Sequence, residues 1–324
     1  MREETILISF EDAIAKSEGI DRSLLLGNGF SARYFSYKNL LDQTDVKVGE
    51  PLRDLFNIYS TYDFELIIRS LEDAAQVEVA YKDDNRADLF RREAQRLREQ
   101  LVHSIRSTHP THVEDIEKHF PSTRAFLNNF SNYFTLNYDL LLYWIQLGTR
   151  NYSDGFGLAA SGAGFRSPFR VGAHCNTFNM HGGLHLFLDD VGDLQKRIKG
   201  SSGIIDAIAD TIVKKKRLPL YVAEGSSTEK MRKINSVPYL RHCFDSLADA
   251  GGVLFVFGHS ASDNDEHIYR AVFSSNIEHI YFGVFEPDEE KIRACEAQLL
   301  KFRKLSGGVS EFTLYDSGSV NLWL

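Results

Sequence analysis

Five short clusters in this chain carry residue types that could do chemistry. Gly27-Asn28-Gly29-Phe30-Ser31 follows directly on three leucines. A strand that breaks into Gly-x-Gly ahead of a helix leaves bare backbone N–H groups at the helix N-terminus, where a phosphate can sit. The third glycine of the dinucleotide fingerprint is missing, so a plain strand-to-helix turn is the competing reading. Asn137-Tyr138-Asp139 supplies an amide and a carboxylate, which suit a polar ligand or the capping of a following helix equally well. His181, ahead of Gly182-Gly183, is a base whose ordinary pKa lies near neutrality, although a lone histidine is more often a core or loop residue. Gly258-His259-Ser260 offers backbone and hydroxyl donors, or only a turn and a cap. Glu286, before Pro287, could bond ligand hydroxyls or complement a helix dipole.

These clusters matter together only if the fold gathers them. Leu24, Leu25 and Leu26 read as a short buried strand, and 32–41 is compatible with a helix. From 51 to 130 the pattern is helical throughout, with Phe64, Ile67, Ile68 and Leu71, then Leu89, Phe90, Ala94, Leu97, Leu101 and Ile105, at 3.6-residue spacing. Asp84 and Asn85 are placed to cap the second of these helices. A strand at 133–136 runs into an apolar helix at 140–147, and 151–169 reads as loop. Two extended pieces flank a glycine turn at 179–187. A helix near 204–212, a strand at 219–223 and helices at 228–234 and 239–248 follow. The run 252–257 is apolar on both faces, as a central parallel strand must be. Ser262, Asp263 and Asn264 can cap a helix through Phe273. A strand at 279–285, a helix at 289–302, and strands at 311–315 and 320–323 complete the pattern.

This alternation predicts an α/β fold, a doubly wound and mostly parallel sheet with a large all-helical insertion. The expected division is one domain over 1–324, with a core of 1–45 plus 131–324 and a helical insertion at 46–130. In such a sheet every cluster above falls at the carboxyl edge of a strand, where ligands bind.

The bulk numbers set limits. With 324 residues, 43% hydrophobic and 25% charged, the composition is that of an ordinary globular protein. A net charge of −8 offers no general attraction to nucleic acid or to an anionic membrane. The one basic run, Lys214-Lys215-Lys216-Arg217, suits a helix C-terminus. Cys175, Cys243 and Cys295 are isolated, which argues against a structural zinc site of the usual spacing and against a secreted disulfide framework. No apolar run approaches a membrane span, and Met1-Arg2-Glu3-Glu4 does not read as a signal peptide. A cytoplasmic protein is expected.

In order and type, the five clusters resemble those of the sirtuin-like superfamily of NAD-consuming Rossmann-like proteins. Gly27-Asn28-Gly29-Phe30-Ser31 resembles its Gly-Ala-Gly-x-Ser loop, and Thr135-Leu136-Asn137-Tyr138-Asp139 its Thr-Gln-Asn-x-Asp segment. Met180-His181-Gly182-Gly183 resembles the Leu-His-Gly-Ser segment that carries the family's catalytic histidine. Val256-Phe257-Gly258-His259-Ser260 resembles its Gly-Thr-Ser loop, and Glu286 falls where the family has an Asn-containing strand end. Two departures stand out. The four-cysteine zinc module of the deacylases is absent, and Ala32-Arg33-Tyr34-Phe35 replaces their Pro-Asp-Phe-Arg segment. The chain is thus more similar to zinc-less bacterial sirtuin-like proteins that hydrolyse NAD, several of them antiphage effectors.

What the resemblance implies is an NAD glycohydrolase that releases nicotinamide and ADP-ribose and needs no metal. Asn137 and His181 would be catalytic, the asparagine orienting ribose hydroxyls or water and the histidine acting as general base. Gly27, Asn28, Gly29, Phe30 and Ser31 would hold the diphosphate. Asp139 would hold the nicotinamide amide or the loop, and Gly258, Ser260 and Glu286 the adenosine half. Such effectors often wait for homo-oligomerisation or an activating partner protein. The alternative is a non-catalytic module that binds NAD or ADP-ribose as a sensor or scaffold, which would not need Asn137 and His181.

Overall fold

Leu24, Leu25 and Leu26 are fully buried although successive side chains of a strand point to opposite faces. Their strand must therefore be covered on both sides. The computed structural model describes residues 7–323 except 36–39, 150, 158–163, 167, 171, 173, 200–202 and 223–224. In chain order the elements begin with α1 (Phe10–Lys16) and β1 (Arg22–Leu26). Helices α2 (Pro51–Ile58), α3 (Phe64–Ala80), α4 (Asp84–Thr108) and α5 (Phe120–Leu127) follow, then β2 (Asn132–Thr135) and α6 (Leu141–Gln146). Next come β3 (Phe165–Arg166), β4 (Thr177–Asn179), β5 (Gly182–Leu188), β6 (Leu194–Arg197), α7 (Ile204–Lys214) and β7 (Pro219–Tyr221). The chain continues through α8 (Ser227–Ser236), α9 (Pro238–Ala248), β8 (Gly251–Phe257), α10 (Glu266–Ser274), β9 (Asn276–Val284), α11 (Glu289–Ser306) and β10 (Glu311–Asp316).

Six strands form one parallel sheet in the order β10-β9-β8-β1-β2-β4. Counted from β4, that is 3-2-1-4-5-6 in chain order, the doubly wound Rossmann arrangement, whose order reverses between β1 and β8. The two faces have separate cores. Leu24, Leu26, Val253, Phe255 and Phe257 pack with Leu71, Leu97, Leu101 and Phe126 of the helical block and with Ile208 and Ile212 of α7. Leu25, Leu254, Val256, Ile280 and Phe282 pack on the other side with Leu240, Leu247, Ile268, Val272 and Phe302 of the later helices. The helical insertion between β1 and β2 is thus the cover of one face.

Several sequence expectations need correction. The helix expected over 32–41 does not form in its described first part, 32–35. Tyr34 and Phe35 both donate their N–H to the Ser31 carbonyl in a single turn, 36–39 lie outside the described residues, and Leu40–Gln43 form a short 3-10 helix. The cap of α4 is Asp83, whose carboxylate accepts the Arg86 N–H at 3.1 Å. The strand at 219–223 is not in the parallel sheet. As β7 it pairs antiparallel with β5 in a second, four-stranded sheet of order β3-β6-β5-β7. Residues 320–323 form no strand; Trp323 instead donates its indole N–H to the Phe30 carbonyl at 2.7 Å. Among the described residues no helix is long and apolar enough to cross a membrane.

Candidate functional site

The order reversal between β1 and β8 puts the ends of these two strands side by side. Their contact is backbone on backbone. A Cβ on Gly29 would stand 2.6 Å from the Gly258 Cα, and one on Gly27 2.6 Å from the Gly258 carbonyl oxygen. Gly258 has φ +70°, and a Cβ there would meet the Phe30 nitrogen at 2.5 Å. Both steric room and left-handed backbone demand glycine at 258. The seam and the turn together use up four of the five amides that the Gly-x-Gly pattern was expected to leave bare. Gly27 N–H donates to Phe257 O (2.9 Å), Gly29 N–H to Gly258 O (2.7 Å), Phe30 N–H to Gly27 O (3.0 Å) and Ser31 N–H to Asn28 O (3.0 Å). Since 31–35 form a turn and not the start of an α-helix, this turn does not present the helix N-terminus on which its phosphate reading rested.

Asn137 is buried behind the seam. Its Nδ2 donates to the Gly27 carbonyl (3.0 Å) and to Ser31 Oγ (3.1 Å), which fixes the amide orientation because only the nitrogen end can face a carbonyl. Its Oδ1 is buried without a partner. Asp139 stands one residue before Leu140, the N-cap of α6, and accepts the Leu141 N–H at 2.7 Å, so it holds the turn that leads into this helix and is not its cap. Glu286 is exposed with φ +46°, its carbonyl accepting from Lys291 Nζ at 2.7 Å; its side chain does not line the cleft described below.

His181 sits where the chain leaves the parallel sheet and enters the second one. Met180 N–H donates to Thr135 O (2.9 Å), and the His181 carbonyl accepts from Val222 N–H (2.9 Å). Gly182, at φ +77°, lets the Leu220 carbonyl come to 2.1 Å from where its Cβ would be, so no side chain fits there. The main chain that carries the imidazole is therefore held on both sides. Its Nε2 is buried and has no hydrogen-bond partner. Burial pushes its pKa down to about 3, against the pull of the nearby Asp265 carboxylate, and leaves the ring neutral at physiological pH.

Around His181 lies a buried polar group that sequence reasoning did not assemble. Lys230 of α8 donates to Asp265 Oδ1 at 2.8 Å. His259 Nδ1 accepts from Ala261 N–H (3.0 Å) and the Tyr269 hydroxyl (2.6 Å), so its Nε2 carries the proton and donates to Asp265 Oδ2 at 3.1 Å. Burial disfavours the Asp265 carboxylate, but the His259 hydrogen bond and the adjoining His181, His259 and Lys230 hold its pKa well below the carboxylate range. His267 stacks on His181 with ring centres 5.9 Å apart, and its Nδ1 meets Ser227 Oγ at 3.0 Å. His181, Asp265 and His267 are the donors here that suit a metal ion, one atom from each lying within 4.8 Å of the others.

Two cavities share the 258–262 loop. A polar one of about 230 Å³ is lined by Asn28, Leu136, Tyr138, His181, Lys230 and Asp265, among others. A more apolar cleft of about 670 Å³ runs past Gly29, Ser260, Ser262, Phe282, Phe285 and Lys291 along the ends of β8 and β9. Of the sequence candidates, Asn28, Gly29, His181, Gly258 and Ser260 line these spaces. Gly27, Phe30, Ser31, Asn137 and Asp139 stand behind them as support. The one signal for Lys230 was its i, i+4 spacing to buried Ile234 in an otherwise charged helix. Asp265 and His267 looked like the polar start of a capped helix.

A family model described as a domain of unknown function (DUF4917) matches residues 24–323, from β1 to Trp323. The chain belongs to that family. In this DUF4917 chain the match takes in both sheets, the helical block and every residue of the two cavities. No curated protein matches it.

Proposed function

We propose that this DUF4917 protein binds NAD across the crevice between β1 and β8 and hydrolyses its nicotinamide–ribose bond. One observation carries the reading: His181, which lines a polar cavity at the switch point of a 3-2-1-4-5-6 sheet, is buried and neutral and has an unpartnered Nε2. The motif resemblance to NAD-consuming sirtuin-like proteins points the same way.

The larger cleft suits the adenosine diphosphate half. Its apolar walls at Phe282 and Phe285 accept a base, and Ser260, Ser262 and Lys291 are its donors for the diphosphate. This role passes to them because the amides of Gly27, Gly29, Phe30 and Ser31 are taken. The smaller cavity, walled by Leu136, Tyr138 and Val222, accepts the nicotinamide ring. Cleavage moves the C1′–N bonding pair onto the pyridinium nitrogen, giving neutral nicotinamide and an oxocarbenium ion. Water adds to C1′, and His181 Nε2 takes the proton that the new oxonium sheds. So acidic a donor needs only a weak base, which is what a strongly depressed histidine is. Asp265 stands ready to stabilise the imidazolium that forms. Asn137 acts through the seam, keeping Gly27 and Ser31 in place.

The test is nicotinamide release measured by chromatography from NAD incubated with wild type and His181→Ala, beside ligand-induced thermal stabilisation of both. The expected result is turnover that falls at least ~100-fold in the variant with stabilisation retained. Equal turnover by the two proteins overturns the reading. Stabilisation by NAD without turnover in either, under oligomerising conditions as well, favours the non-catalytic binder.

A further inference from the structure

His181, Asp265 and His267 reach one point from the turn after β4 and from the start of α10. They are 5%, 8% and 7% exposed. The Nε2 atoms of both histidines are buried with no hydrogen-bond partner. A buried ring nitrogen left unpaired costs about 1–3 kcal/mol, so this pair calls for a shared third group. Two imidazoles and one carboxylate are the donor set of borderline divalent ions, and too nitrogen-rich for Mg²⁺ or Ca²⁺.

We propose that His181, Asp265 and His267 form a site for a first-row divalent ion of the Zn²⁺ class, and that the bound ion occupies the Nε2 lone pair that hydrolysis needs. The second half rests on the glycohydrolase reading; the binding of the ion does not. Bonds of about 2.1 Å place tetrahedral ligands about 3.4 Å apart, so the three atoms, now within 4.8 Å, close in by a little over ~1 Å. The groups behind them are those that orient metal ligands elsewhere. Ser227 holds His267 at Nδ1, and His259, itself fixed by Tyr269, holds Asp265. Access exists from two sides, because His181 and Asp265 line the polar cavity while His267 lines a separate one of about 550 Å³. Lys230 is the competitor. Its ammonium lies 2.8 Å from Asp265 Oδ1 and must be displaced or repelled by the ion, which sets a modest affinity.

The experiment is titration of the full chain with Zn²⁺ by calorimetry, and with Co²⁺ by visible absorption, run beside nicotinamide release. Expected are one ion per chain with micromolar affinity, at least tenfold weaker binding in His267→Ala and His267→Gln, and at least tenfold tighter binding in Lys230→Met. Stoichiometric Zn²⁺ is expected to stop wild-type turnover reversibly on chelation, while metal-free His267→Gln keeps its turnover in Zn²⁺. No uptake by wild type, or unchanged uptake by both folded His267 variants, overturns the site. Zn²⁺ that binds as expected but leaves turnover intact or raises it overturns the competition. Turnover absent from metal-free wild type overturns the glycohydrolase reading alone, and the two titrations still decide the site.

Discussion

His181 and His185 lie four residues apart, and each has beside it a lysine–aspartate pair whose lysine is buried. His181 has Lys230–Asp265, and His185 has Lys196–Asp154. Burial lowers both histidines to about 3 and leaves each with one unpartnered ring nitrogen. The surroundings differ. His185, 2% exposed, is roofed by Tyr143, stacked at 4.8 Å and 15°, and curls over Gly183 within the second sheet. His181 faces the cavity at the carboxyl edge of the parallel sheet. The same local chemistry is thus closed off at one site and open at the other. What separates a candidate catalytic centre from a stabilising one here is position relative to the switch point, not residue type.

The comparison breaks most sharply at the two histidines. His181→Ala is expected to cut nicotinamide release at least ~100-fold, whereas His185→Ala leaves it within a few-fold and lowers the melting temperature instead. Equal losses of turnover from both would erase the distinction. The paired acids come next. Asp265→Asn and Asp154→Asn each take the carboxylate from a buried ammonium, and each is expected to cost about 3–5 kcal/mol in urea denaturation, with nicotinamide release falling only for Asp265→Asn.

The pH dependence sharpens the same contrast. His185 is neutral in the fold with a pKa near 3, while the unfolded chain takes up a proton near ~6.5. Stability from this group is complete above about pH 6.5 and declines as pH falls from there toward 3. At pH 5 the loss is about 2 kcal/mol, and His185→Gln is expected to flatten that part of a stability–pH curve measured by denaturant. The smallest effect belongs to Asp139. Asp139→Ala loses a helix-start hydrogen bond worth about 1 kcal/mol and is expected to leave NAD turnover unchanged. A large loss of turnover would return this residue to the ligand.

Much of the fold was legible because the signals were periodic. The both-faces-apolar run of β8 and the 3.6-residue stripes of α3 and α4 left little choice. The second sheet was not legible. Pro219-Leu220-Tyr221 is a short apolar run, and such a run reads alike whether it pairs parallel in a core or antiparallel at its side. The helix expected at 32–41 does not start in 32–35; Phe30 and Phe35 are both buried there, Phe30 against Trp323, a contact nearly 300 residues distant in sequence. At the candidate site, His181, Gly258 and Ser260 were expected together, and line the cavities, because strand ends in a parallel sheet must converge. Lys230 and Asp265 were missed because charged residues on a polar-looking helix or at a cap are ordinarily solvated, and only the packed structure shows them buried against each other.

The glycine seam has a consequence for how this molecule could be altered. Gly27, Gly29 and Gly258 touch through main chain alone, so the separation between the two halves of the sheet is a fixed gauge with no adjustable part. Side chains around it can change which molecule fits, but not how far apart the walls stand. Attempts to redirect ligand preference therefore belong at Leu136, Tyr138, Ser260 and Phe285, where volume and polarity are exchangeable. A substitution in the seam would respace the whole crevice at once.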